Sequence, residues 1–131
     1  MAILISPTGG GIRNDSEGSG YWLASRGSRL HEGIDFDLPK GAGQLVVSPI
    51  TGKFKRIAYP YPDTQEIRGC EIRGGDIWVK MFYLRPYDSL VGQKVTMGQP
   101  IGIAQDISKR YPGCEPHVHL EVIKINPAIL L

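Results

Sequence analysis

Pro112-Gly113-Cys114-Glu115-Pro116-His117-Val118-His119-Leu120-Glu121-Val122 decides how the chain reads. A Gly/Pro-rich stretch gives way to an apolar alternation, which puts His117 and His119 on the first residues of a strand. Side chains two apart on a strand share a face, so the two imidazoles project together. Such a pair suits either a metal site or an acid-base pair. The third histidine opens His31-Glu32-Gly33-Ile34-Asp35. As a strand, this segment puts His31 and Asp35 on one face, with Asp37 one step further along. Gly33 between them leaves space where a metal would sit. One reading joins the two stretches as a zinc site made by His31, Asp35 and His119. Two His and one carboxylate form a three-ligand set that keeps a fourth position for water. On that reading His117 exchanges a proton with the water or stabilises an oxyanion. Glu121, on the same face, either fixes a histidine tautomer or is an ordinary salt-bridging surface residue.

The surrounding composition sets the frame. The chain has 131 residues, which suits a single domain, 1–131, with one core. Hydrophobic residues make up 41% and charged residues 21%, ordinary values for a globular protein. Gly 17 and Pro 10, with no long helical periodicity, favour many short strands joined by turns. A net charge of +2 gives no argument for nucleic acid. The apolar runs fall far short of a membrane span. The N-terminus lacks the pattern of a signal peptide. The expectation is synthesis in the cytosol, or a mature or trimmed chain, acting at a cell envelope or on a phage particle. Cys70 and Cys114 read as two free thiols, with a disulfide between their loops left open.

In chain order, Ala2–Ser6 is expected to be a strand and 7–20 a flexible loop rich in Gly, Ser, Asn and Asp. Tyr21–Leu23 reads as a core anchor, and Ser25–Arg29 as a solvated approach to His31. Strands are expected over Gln44–Ser48 and Lys53–Tyr59. Glu66–Arg73 and Asp76–Leu84 flank Gly74-Gly75, a two-residue hairpin signal. Arg85–Leu90 reads as a loop, Ile101–Gln105 as a strand, and Asp106–Arg110 as one helical turn. His117–Ile125 is the last strand, stopped by Asn126-Pro127. About seven short antiparallel strands, mainly β with little helix, follow from this pattern.

Several segments, in order, resemble the lysostaphin-type (beta-lytic) zinc metallopeptidases. Ser28–Phe36 resembles their H-x-G-x-D strand, and Gly41–Gly52 the hairpin after it. Gly92–Gly102 is similar to their V-x-x-G-Q-x-I-G stretch, and His117–Val122 to their H-x-H-x-E strand. The resemblance implies a compact antiparallel sheet or sandwich with the site in a groove along one face. It implies Zn2+ held by His31, Asp35 and His119, with His117 as a catalytic histidine. It also implies peptide cross-links of bacterial peptidoglycan, or a similar peptide, as substrate.

One position departs from the family pattern. Active members usually carry a second catalytic histidine in a Y-x-H-L strand, and here Tyr83 stands in its place. This stretch and Tyr111–His119 resemble a vertebrate branch, the leukocyte cell-derived chemotaxins. That branch keeps the zinc ligands and is regarded as a secreted signalling protein. The chain lacks the branch's cysteine framework, which suggests a bacterial or phage relative. A phenol donates a hydrogen bond to an oxyanion but is a poor base at neutral pH. Three functions stay open: a zinc endopeptidase using His117 and Tyr83, a zinc-binding module that recognises peptide or glycan without cutting it, and a structural part of a phage or envelope assembly.

Overall fold

A computed structural model describes residues 4–12 and 33–130, and four two-residue strands between them. These are β1 (Asn14–Asp15), β2 (Gly18–Ser19), β3 (Ser25–Arg26) and β4 (Arg29–Leu30). Nine further strands form two antiparallel sheets. They are β5 (Ile34–Asp37), β6 (Leu45–Val47), β7 (Gly52–Ala58), β8 (Gly69–Arg73), β9 (Ile77–Phe82), β10 (Leu84–Pro86), β11 (Lys94–Val95), β12 (Pro100–Ala104) and β13 (His117–Ile125). The larger sheet has the order β11-β7-β8-β9-β13-β5, and the smaller the order β10-β12-β6. Among the described residues there is no α-helix, only 3-10 turns at Asp88–Leu90 and Pro127–Leu130.

The alternation read in the sequence is what buries one face of the large sheet. Along β9, Ile77, Val79 and Met81 are buried, while Trp78, Lys80 and Phe82 on the other face are half-exposed. The inward residues join Phe54, Ile72, Val118 and Leu120 in a core that also takes Val46, Leu84 and Ile101 from the small sheet. Each such buried side chain contributes about 1.5–3 kcal/mol. The small sheet therefore closes one face of the large sheet, and the polar face is left for the site.

The structure departs from the expected elements where long-range pairing decides. Leu4–Ser6 form no strand, although the Ile5 amide donates to the Pro49 carbonyl at 3.0 Å. Residues 7–12, in the expected N-terminal loop, lie along β5. The Asp37 amide donates to the Gly11 carbonyl, the Thr8 hydroxyl to the Asp37 carbonyl, and Ile12 bridges Phe36. Asp76–Leu84 is not one strand. It stops at Phe82, Tyr83 takes φ +76°, and β10 begins in the other sheet. Arg85–Leu90, expected as a loop, holds the end of β10 and a 3-10 turn. Residues 108–110 form a hydrogen-bonded turn rather than a helix. The hairpin between β8 and β9 forms, but its turn is shifted by one residue. Arg73 is opposite Trp78 and the Gly74 amide donates to the Ile77 carbonyl at 2.8 Å, so Gly75 and Asp76 make the turn and Asp76 lies outside the strand.

Candidate metal centre

β13 lies between β9 and β5, so His119 has Phe82 on one side and Asp35 on the other. This pairing joins two segments that are 84 residues apart. His119 Nδ1 lies 2.7 Å from Asp35 Oδ1, and its Nε2 lies 3.1 Å from Glu121 Oε1. The His119 ring stacks on Phe82 with centroids 6.2 Å apart. Burial would lower the imidazole pKa, but the hydrogen bonds and charges of Asp35 and Glu121 outweigh it and raise it to about 9. The carboxylate of Asp35 is 2% exposed.

His117 sits two residues earlier on the same face. Its Nδ1 lies 2.9 Å from the Glu115 carbonyl, which can only accept, so that nitrogen carries the proton. Nε2 therefore turns towards Asp35, 3.7 Å from Oδ2. Cys114 Sγ lies 3.7 Å from His117 Nδ1. No disulfide joins Cys70 and Cys114, and burial pushes the Cys70 thiol pKa up.

Tyr83 packs edge-on against the His117 ring at 5.2 Å and tilted against His119 at 6.3 Å. A tyrosine at φ +76° costs about 1–3 kcal/mol of backbone strain. The Tyr83 and Leu84 amides both donate to the Arg68 carbonyl, at 2.8 and 3.2 Å, which holds that turn. The Tyr83 hydroxyl is 2.9 Å from the Tyr61 hydroxyl, which also bonds the Tyr111 hydroxyl. Burial first, and then the bond to Tyr61, push the Tyr83 phenol far above its usual range. It is therefore a neutral hydrogen-bonding group at any physiological pH. Burial and the bond to Tyr111 likewise push Tyr61 up to about 12.

Of the five expected site residues, Asp35, His117, His119 and Tyr83 come together. His31 lies outside the described residues. Among the described residues, no three His, Cys, Asp or Glu side chains are arranged to hold a metal ion. The described pair supplies two donors of the kind zinc takes, joined here by a hydrogen bond that an ion would replace. A nitrogen and a carboxylate oxygen converge at 2.7 Å, and Glu121 stands behind the far nitrogen of the same ring, where an outer-shell carboxylate fixes a ligand's tautomer. Gly33 serves this arrangement differently from the sequence expectation. A Cβ there would lie 2.7 Å from His119 Cε1 and 2.4 Å from the Leu120 carbonyl. The missing side chain makes room for the His119 ring, not directly for an ion.

Sequence reasoning missed Tyr61 and Tyr111. Both lie in Pro-containing loops, and nothing local marks them as neighbours of Tyr83. Arg110 was passed over as well. Its guanidinium lies 3.6 Å from the Tyr61 ring centroid and 3.2 Å from Asp63.

No family model matches the chain. Leukocyte cell-derived chemotaxin-2 from Bos taurus is 33% identical over 136 residues, covering 92% of this chain and 87% of that protein. Among solved structures, Helicobacter pylori Csd3 matches with a TM-score of 0.64 at 22% identity over 95% of this chain. The chain spans only 33% of that Csd3 chain. The catalytic domain of the antimicrobial peptidase lysostaphin from Staphylococcus simulans matches with a TM-score of 0.59 at 23% identity, over 85% of this chain and 83% of that one. The solved structures establish the shared fold. The 33% identity along nearly the whole length shows that the chain belongs to the family of the leukocyte cell-derived chemotaxins, and its fold is that of the lysostaphin-type metallopeptidases.

Proposed function

We propose that the chain is a metallopeptidase-like hydrolase acting on peptide cross-links of peptidoglycan or on a similar peptide. The observation that carries this reading is the convergence of Asp35, His119 and His117 on one face of the large sheet. Asp35 and His119, with His31 as the third expected donor, would hold zinc. When bound, zinc polarises a carbonyl and makes a bound water more acidic. Glu121 keeps its carboxylate on His119 Nε2, so that Nδ1 is the nitrogen offered to the ion. The Glu115 carbonyl holds the proton on His117 Nδ1, leaving Nε2 to take a proton from the attacking water and return it to the leaving amine. Tyr83 stays protonated and supplies a hydrogen bond rather than a base. One proton-transfer group thus does the work of two, which lowers the rate by roughly 100-fold or more.

A second reading rests on Tyr83 itself. Its hydroxyl is held by Tyr61, and chemotaxin-2 is a 33% identical relative, so the site would bind a peptide without cutting it. Fragment release from purified peptidoglycan by the zinc-loaded chain, compared with His117→Ala, separates the two. Release that falls at least 100-fold in the variant supports the hydrolase. Equal release by the two proteins sinks it, and zinc uptake with wall binding but no release supports the recognition module.

A further inference from the structure

The face of the large sheet that holds His119 carries a second chemical feature. Cross-strand partners share a face. One row of partners runs Lys94, Lys53, Arg73, Trp78 and Lys124 across β11, β7, β8, β9 and β13. Trp78, Lys80 and Phe82 alternate on β9, and Phe82 is opposite His119. The row therefore lies on the site's face, about 13 Å further along the strands. Strands are about 4.8 Å apart, so its four cations fall on a line of about 19 Å.

This row works against the folded state. Lys94, Lys53 and Arg73 are direct neighbours, and like charges placed opposite one another are destabilising. Lys53, Lys94 and Lys124 are exposed. Arg73 is ion-paired with Glu71, and both Arg73 and Lys124 stand over the Trp78 ring, at 4.1 and 4.5 Å from its centroid. The next row towards the site, Glu121, Lys80, Glu71 and Arg56, is balanced. Asp76, just before β9, takes a hydrogen bond from the Asn126 amide. Among the described residues of these two rows and Asp76, six cations thus face three carboxylates, an excess of three positive charges in a chain whose net charge is +2.

We propose that this row is a docking surface for a linear, base-free polyanion of the phosphate-polymer class, lying across the strands. A line of about 19 Å is too long for one small anion and suits a chain of repeated charges. Single-stranded nucleic acid needs aromatic platforms for its bases, and the Trp78 ring already faces two cations. An acidic peptide lying across the strands gains no main-chain ladder, since that needs an open sheet edge. The proposal goes beyond the peptidase reading and holds whether or not the chain cuts peptides.

The test uses linear inorganic polyphosphate as the probe, titrated into the whole chain at several salt concentrations. Orthophosphate, poly-L-glutamate and a single-stranded oligonucleotide serve as the other arms. Polyphosphate is expected to bind more tightly than any of these. The triple variant Lys53→Gln, Lys94→Gln, Lys124→Gln should bind it at least tenfold more weakly, with a salt slope lower by about 2. Lys40→Gln with Lys109→Gln, two exposed positions away from the row, should change neither. Equal loss in that control, tighter binding of polyglutamate or oligonucleotide, or no binding of polyphosphate would each overturn the proposal. Lys53→Gln alone should raise the melting temperature at low salt by relieving its repulsion with Lys94 and Arg73. A fall instead would mean that the row is already compensated in the free chain, and it also counts against the proposal.

Discussion

Glu71 shows how one residue is held on the polar face. It is 3% exposed, yet it lies 3.1 Å from Arg56 and 2.5 Å from Arg73. Burial alone would raise its pKa. The hydrogen bonds and charges of the two arginines outweigh burial and hold the carboxyl below its usual range. The folded state therefore releases this proton more readily than the unfolded chain. The stability it contributes is fully present above the ordinary carboxylate value of about 4.3 and is lost as pH falls through the folded value. Melting temperatures recorded from pH 7 down to pH 3 should fall for the natural chain and fall less steeply for Glu71→Gln. At pH 7 the variant should be less stable by about 1–2 kcal/mol, at the low end because both arginines are partly exposed and screened. Parallel curves for the two proteins would show that the ion pairs contribute nothing to the acid limb.

At the scale of elements, the proposed metal site depends on how closely β5 and β13 approach. Gly33 lies immediately before β5, and the His119 ring covers it. Gly33→Ala would drive a methyl group into the Leu120 carbonyl and that ring, so His119 must leave its place beside Asp35. Zinc affinity, measured by competition with a chelating dye, should drop 10-fold or more. Gly75→Ala, with nothing within 4 Å of the added carbon, should leave affinity unchanged. Unchanged affinity in Gly33→Ala would mean that the ring has room to shift while still binding. This is also where the sequence was most and least informative. The H-x-H face and a hairpin at the glycine pair depend on period and turn chemistry within a few residues, and both could be read directly, the turn to within one residue. The break at Tyr83 could not, because a tyrosine at φ +76° has no local signature. It is imposed where the chain leaves one sheet for the other. Tyr61 and Tyr111 were hidden for the same reason, being 22 and 28 residues from Tyr83 and joined to it only by the folded loops.

Across the whole molecule, the small sheet reaches the site through Gln105, the residue after β12. Its amide donates to the Tyr83 carbonyl at 2.9 Å, which fixes the backbone of the strained turn. Its side chain accepts from the Arg68 amide at 3.0 Å and donates to the Glu66 carbonyl at 2.6 Å. Arg68 in turn supplies the carbonyl that receives the Tyr83 and Leu84 amides. The loop that carries Tyr61 is thus tied by Gln105 to both sheets at once, and Arg110 ties it again through Asp63 and the Tyr61 ring. Gln105→Leu keeps the backbone bond to Tyr83 and removes the two side-chain bonds. It should cost about 2 kcal/mol, since each net hydrogen bond contributes about 1 kcal/mol. Because the lost bonds hold a loop, the effect should be local as well as global. Amide hydrogen exchange at Arg68 and Tyr83 should quicken more than at Ile72 and Val79 in the core strands. Uniform quickening at all four amides would mean that Gln105 supports only the packing of the two sheets. Selective quickening would show that the small sheet, which contributes no expected zinc ligand, sets the position of the tyrosine wall beside His117.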